Sequence, residues 1–197
     1  MATTRERLKP GERKLQILQV LAQMLQHPKG ERITTAALAE KIGVSEAALY
    51  RHFASKAQMF EGLIEFIESS IFGLANQITA EQENGLRQLH AMGSMLLAFA
   101  EKNPGMTRVL IGDALMTEDG RLQARINQLQ DRIEATLKQC LRVAATQGAP
   151  GDGSDADPGP RANLILCYVT GRWHQFAKSG FKRPPAEGFD KQWPLMA

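Results

Sequence analysis

The residues best placed to do chemistry lie between Arg32 and Lys56, RITTAALAEKIGVSEAALYRHFASK, and the chemistry they suit is non-covalent recognition of a polyanion. Thr34 and Thr35 carry hydroxyls that can cap a helix and donate to phosphate, and Leu38 and Ile42, four apart, form an inner face. Gly43 permits a tight turn, Val44 can fill the crevice behind it, and Ser45 is a favourable N-cap for a second helix. The spacing predicts a helix-turn-helix, in which the first helix crosses the nucleic-acid backbone and the second enters the major groove.

On a helical wheel at about 100° per residue, Leu49 and Phe53 fall within about 40° of each other and face inward. Ala47, Tyr50 and Arg51 then point the opposite way, with Glu46 and His52 on the flanks. Ala47 is small enough to let the helix approach base edges or touch a thymine methyl. Arg51 can offer a bidentate fork to guanine O6 and N7, and Tyr50 can donate to a phosphate. Lys56, in the first turn of the next helix, is a further candidate for phosphate. The competing reading is an ordinary helical hairpin with a solvated charged face.

Charge distribution favours the polyanion. Residues 1–56 carry ten Lys/Arg and five Asp/Glu, a balance of +5, whereas residues 57–197 carry fourteen and sixteen, a balance of −2. A basic head thus precedes a slightly acidic body. Residues 1–10, with Arg5, Arg7 and Lys9, read as a flexible basic arm able to reach an adjacent groove; residues 11–56 read as the DNA-binding domain.

The elements that must carry this head are helices. Residues 12–26 show the three-and-four spacing of an amphipathic helix, ended by His27-Pro28-Lys29-Gly30. Ser55-Lys56-Ala57-Gln58 is a capping box, with each side chain reaching the other residue's backbone N–H, and it opens a fourth helix reaching about Thr79. Residues 83–101 form a fifth, broken by Asn103-Pro104-Gly105, followed by a short apolar segment over 106–116. In residues 117–147, Leu122, Ile126, Leu129, Ile133, Leu137 and Leu141 make one apolar face. GAPGDGSDADPGP, residues 148–160, has too little apolar surface to offset its ordering entropy and reads as a disordered loop. A last helix covers 162–178, and the tail FKRPPAEGFDKQWPLMA reads as an irregular strap.

The fold class is therefore all-α, with residues 57–197 forming a helical dimerisation and regulatory domain. The two long C-terminal helices offer apolar surface for a homodimer interface, with Leu122, Ile126, Leu129, Ile133 and Trp173 as its expected residues. Cys140 and Cys167 fall inside apolar helical patterns and are expected to be buried, reduced thiols. No apolar run approaches the roughly 18 residues of a membrane span and no leader pattern opens the chain, so a cytoplasmic protein is expected. His27, His52, His90 and His174 form no metal-ligand pair, and neither a phosphate loop nor a nucleophile motif is present, so no enzyme, metal site or cofactor is expected.

The segment TTAALAEKIGVSEAALYRHFASK, with Tyr50, Phe53 and Lys56 closing it, resembles the TetR family of dimeric DNA-binding proteins. The body segments EKNPGMTRVLIGDALM, RLQARINQLQDRIEA and FDKQWPL resemble the nucleoid occlusion factors within that family. This resemblance implies a fold of helix-turn-helix head and helical body, and a DNA-bound homodimer that antagonises polymers of the division GTPase FtsZ over the chromosome. It further implies that the C-terminal tail of FtsZ meets the body near the base of the fourth and fifth helices. Phe66 is a candidate for that contact, lying about 100° round the helix from the Leu63–Ile67 row; the alternative is a place in a broad core stripe. Lys102 and Asn103 could meet an acidic or backbone element of the tail, or form an ordinary helix C-cap. Gly73-Leu74 departs from the resemblance where an exposed Arg is expected. The alternative function is a ligand-gated transcriptional repressor with a small-molecule pocket in the body, for which His90, Tyr168 and His174 are scattered polar candidates.

Overall fold

The computed structural model describes residues 11–26, 33–116, 118–148 and 157–196; the expected N-terminal arm and most of the expected 148–160 loop lie outside them. Helices and turns make up this chain, with no strand among the described residues. Three helices form the head: α1 (Glu12–Gln26), α2 (Thr35–Ile42) and α3 (Glu46–Tyr50). The body follows with α4 (Lys56–Glu81), α5 (Gly85–Lys102), α6 (Pro104–Leu110), a 3-10 turn at Asp113–Leu115, α7 (Gly120–Thr146), α8 (Gly159–Lys178) and α9 (Phe189–Gln192).

Local chemistry sets most boundaries. The Thr34 hydroxyl accepts from the Ala37 N–H and opens α2, and Gly43, at φ 75°, closes it with its own N–H on the Ala39 and Glu40 carbonyls. Ser45 caps α3 in the same way through Ala48. At α4 the Ser55 hydroxyl accepts from the Gln58 N–H as the capping box predicts, but the Gln58 side-chain oxygen Oε1 takes the Ala54 N–H, one residue before the expected partner. The Asn84 side chain caps α5, and Pro104 begins α6, where its missing N–H would have had no helical partner.

The head packs on one small core. Ile17, Leu21 and Leu25 of α1, Leu38 of α2, Leu49 of α3 and Phe53 are buried together with Met59 and Phe60 at the start of α4. In the body, α5 runs through the middle and packs against α4, α6, α7 and α8. Leu89, Met92, Leu96 and Leu97 of α5 meet Ile67 and Ile71 of α4, the inner row of α7 and Ile165, Val169 and Trp173 of α8. The indole N–H of Trp173 donates to the Leu96 carbonyl at 3.1 Å.

That arrangement corrects the expected dimer interface. Leu122, Ile126 and Leu129 are 0% exposed, Ile133 3% and Trp173 0%, all within a single protomer. Each such side chain contributes about 1.5–3 kcal/mol by burial, and it does so against its own chain. Those side chains are therefore not available to a second copy. Cys140 is buried as expected, with desolvation pushing its thiol up to about 11, but Cys167 is exposed on the outer side of α8. Position 167 falls outside the buried row of Ala162, Ile165, Leu166, Val169, Trp173 and Phe176.

Helix α8 begins at Gly159, so the last two residues of the expected loop are helical. The tail is more ordered than a plain strap. Arg172, 7% exposed, donates to the Pro184, Pro185 and Glu187 carbonyls and anchors the turn there. Phe189 and Trp193 then stack against His90 on α5, each with ring centroids 5.1 Å from the imidazole.

Two glycines report how closely helices approach. A Cβ on Gly105 of α6 would stand 1.9 Å from the Ala22 carbonyl oxygen of α1, whereas one on Gly73 of α4 would meet nothing within 4 Å. Gly105→Ala is expected to destabilise the protein by about 3 kcal/mol or more through overpacking against backbone. Gly73→Ala is expected to stabilise it by up to about 1 kcal/mol, because α4 loses a flexible residue from an exposed turn. Urea unfolding of the two variants beside the parent checks both signs.

Candidate nucleic-acid interface

The expected recognition residues divide into those facing solvent and those already engaged. Ala47 and Arg51 are exposed, and Arg51 has no side-chain partner among the described residues. It follows the last turn of α3, so its guanidinium extends from the helix end opposite the Ser45 cap. His52 is half-buried beside it.

Tyr50, 45% exposed, belongs to a side-chain chain joining α2 to α3. Its hydroxyl donates to Thr35 Oγ1 at 3.4 Å, and the Thr35 hydroxyl donates to Glu46 Oε2 at 2.6 Å. The second bond ends on a carboxylate and is the stronger. It occupies the Thr35 proton and holds the Glu46 charge over α2. In this arrangement Thr35 is a brace between the two helices rather than a phosphate donor. Thr34 and Ser45 use their oxygens as acceptors for the caps, at 3.1 Å from Ala37 and 3.3 Å from Ala48, which leaves each hydroxyl proton available to a phosphate.

Lys56 is corrected more strongly. Its ammonium is paired with the carboxylate of Glu118, 62 residues away, and lies 5.6 Å from the centroid of the Phe60 ring. The side chains are only 20% and 7% exposed. Nothing near Lys56 in sequence signals this partner. Glu118, just ahead of α7, is therefore a body residue that meets the base of the head, and sequence reasoning does not reach it.

Toward the body, the expected partner-binding residues lie along the head-proximal parts of α4 and α5. Phe66 sits about 15 Å along α4 from Lys56, at 1.5 Å per residue, half-buried and packed against the core. Lys102 is exposed at the end of α5. Asn103 donates its side-chain N–H to the Phe99 carbonyl at 2.8 Å, the arrangement of an ordinary helix cap. It also lines a cleft of about 370 Å³ with Gln19, Gln23 and Gln26 of α1 and Met106 of α6.

The polar candidates for a small-molecule pocket are dispersed. His90 faces Asp190 at 3.1 Å, and the Tyr168 hydroxyl donates to Gln192 at 2.7 Å, both against the tail. His174 lines an open cleft of about 870 Å³ between the body and the end of α1, with Arg108, Ile111, Met116, Lys178 and Phe181. Between α4, α5 and α7 the core leaves only about 10 Å³, too little for an organic ligand. No cluster of metal-ligating side chains occurs among the described residues, and no helix there is long and apolar enough to cross a membrane.

Residues 23–63 match the model of bacterial regulatory proteins of the tetR family, and residues 83–197 match that of the tetracyclin repressor-like C-terminal domain, SlmA-like. Over 186 residues the chain is 53% identical to the nucleoid occlusion factor SlmA of Alteromonas mediterranea, covering 94% of each protein. Over 191 residues it is 49% identical to SlmA of a Marinomonas species, covering 96% of this chain and 95% of the relative. In fold it is similar to the fatty acid degradation regulator FadR of Bacillus halodurans, with a TM-score of 0.79, 14% identity and 96% of each chain covered. It is likewise similar to FadR of Bacillus subtilis in complex with stearoyl-CoA, with a TM-score of 0.78, 15% identity, and 92% of this chain and 96% of that one covered. A head built as a capped helix-turn-helix, with half the residues of the whole chain shared with those occlusion factors, makes this protein a member of the SlmA family within the tetR family of regulators.

Proposed function

We propose that the chain is a sequence-specific DNA-binding homodimer that acts as a nucleoid occlusion factor, antagonising FtsZ polymers over the chromosome when bound to DNA. The observation that carries this reading is identity of about half the residues to proteins of that name along head and body alike. The exposed Ala47 and Arg51 beside the caps of α2 and α3 support DNA recognition. Arg51 reads a base edge, Ala47 permits close approach, and the Thr34 and Ser45 hydroxyls meet phosphates, joined by Tyr50 when its hydroxyl turns from Thr35 to the DNA. Glu46 and His52 flank the contact, and Thr35 braces it. The protein works at the nucleoid, in the cytoplasm.

Two copies associate through the outer faces of α7 and α8. Leu164, 51% exposed, and the exposed Cys167 and Gly171 lie on that side of α8, where a second helix can approach closely. The FtsZ tail binds the head-proximal surface of α4 and α5, with Phe66 supplying apolar area and Lys102 a positive charge. The filled space between α4, α5 and α7 leaves the ligand-gated alternative without a pocket in that part of the core.

FtsZ sedimentation with and without DNA fragments selected by this protein tests the function: polymer loss that requires both protein and selected DNA is expected, and polymers indifferent to the pair would refute it. Arg51→Ala should relax base preference, at about 1–3 kcal/mol on the selected site if its contact is bidentate, with little change on random duplex. Anisotropy titrations of the two duplexes decide this, equal losses on both removing Arg51 from base readout. Leu164→Glu should shift the protein to monomer in sedimentation equilibrium while its helical content is kept; an unchanged dimer would move the interface elsewhere.

A further inference from the structure

We propose that Glu118 is a positioning residue for DNA binding, which withholds Lys56 from phosphate and so couples the affinity of the head to the segment between α6 and α7. The proposal rests on the DNA-binding reading above.

Lys56 opens α4 immediately behind the recognition helix, where an ammonium would add to the field of the head. In this structure its charge is neutralised by Glu118. The Glu118 side chain is 7% exposed and that of Lys56 20%, so drawing Lys56 away takes a cation from a poorly solvated carboxylate, and the pair resists both solvent and salt more than a surface pair does. A DNA phosphate must therefore compete with Glu118 for the ammonium. Capture of Lys56 by DNA and retention of Glu118 in its present environment oppose each other.

The segment that carries Glu118 also holds the other side of the head. Arg108, near the end of α6, pairs with Asp113 and donates to the Leu25 carbonyl of α1 at 3.5 Å. Arg108 and Glu118 thus touch α1 and the start of α4, the two helices that flank α2 and α3. Met116 in this segment is 83% exposed and gives a partner a side chain to grip. A partner or conformational change that draws Glu118 off Lys56 frees a cation for DNA, and by thermodynamic reciprocity DNA that captures Lys56 loosens the segment.

The test measures affinity for the selected duplex and a random duplex over a salt series, using full-length parent, Glu118→Gln, Glu118→Asp, Lys56→Met and the Lys56→Met/Glu118→Gln double variant. Glu118→Gln should bind both duplexes about fivefold tighter at about 0.15 M salt, with a log K against log salt slope steeper by about 0.9, the signature of one more phosphate contact. Glu118→Asp, which keeps the charge, should retain the parent slope. In the Lys56→Met background, Glu118→Gln should change nothing. Lys56→Met alone should leave the slope of the parent unaltered, and this comparison stands even where Glu118→Gln fails to fold. A parent-like slope for folded Glu118→Gln, a gain that persists without Lys56, or a slope shallower by about 0.9 for Lys56→Met overturns the proposal. Absence of binding by the parent itself would instead overturn the DNA-binding reading.

Discussion

The close approach of α6 to α1 is the constraint on which the arrangement of head and body depends. Gly105 has room only for hydrogen beneath the Ala22 carbonyl, so the two backbones meet without an intervening side chain. Around that point the Thr107 hydroxyl, fully buried, donates to the Ala100 and Asn103 carbonyls and fixes the turn from α5 into α6. Arg108 reaches the end of α1 from the same short helix. Packing at this density transmits displacement rather than absorbing it. In the proposed dimer, with its contact on α7 and α8, this packing would set the separation of two recognition helices, the quantity that half-site spacing in DNA must match.

Much of the head was legible because its signals are local. Thr34, Ser45 and Ser55 as caps and Gly43 as a left-handed C-cap each follow from residue type and from neighbours within four positions. The wheel correctly turned Leu49 and Phe53 inward and Ala47, Tyr50 and Arg51 outward, since that requires only the helical period. The Thr35–Glu46–Tyr50 chain and the Lys56–Glu118 pair were not legible. They depend on side chains brought together across 11, 15 and 62 residues, and a hydroxyl or ammonium offers no pattern by which its partner can be read. The outcome matters for function, because Thr35, Tyr50 and Lys56, all expected to face phosphate, are engaged within the protein.

The misassigned dimer face has a different cause. An apolar stripe on a long helix states that the face is covered, without stating by which chain. Here α7 lies against α5 and α8 of its own protomer, and the stripe from Leu122 to Leu141 is satisfied there. What remains outside is a polar face on α7 and a narrow row on α8 containing one large exposed aliphatic, Leu164. Sequence periodicity emphasises the wrong row because the surface left for a second copy has weaker hydrophobic contrast than the core. The exposed Cys167 follows from the same geometry: its helix is apolar in composition, yet only one side of it meets the protomer core.

The same distinction separates fold from function in the body. A protein similar in fold is described in complex with stearoyl-CoA, and at 15% identity that likeness speaks for the fold alone. In this chain Phe72, Met92, Met95, Leu96 and Ile133 close the space between α4, α5 and α7 to about 10 Å³. Side chains of that size, not the path of the backbone, determine whether such a body is hollow there, which is why architecture alone does not assign a ligand. Besides the open cleft of about 870 Å³ at the end of α1, the routes for a signal between body and head are surfaces that already touch. The Gly105–Ala22 approach and the Lys56–Glu118 pair are two such surfaces, one made of backbone in contact and one of opposite charges largely shielded from bulk water. The first can only move as a unit with its neighbours, whereas the second can open, so the electrostatic junction is the place where the head can respond to the body without repacking its core.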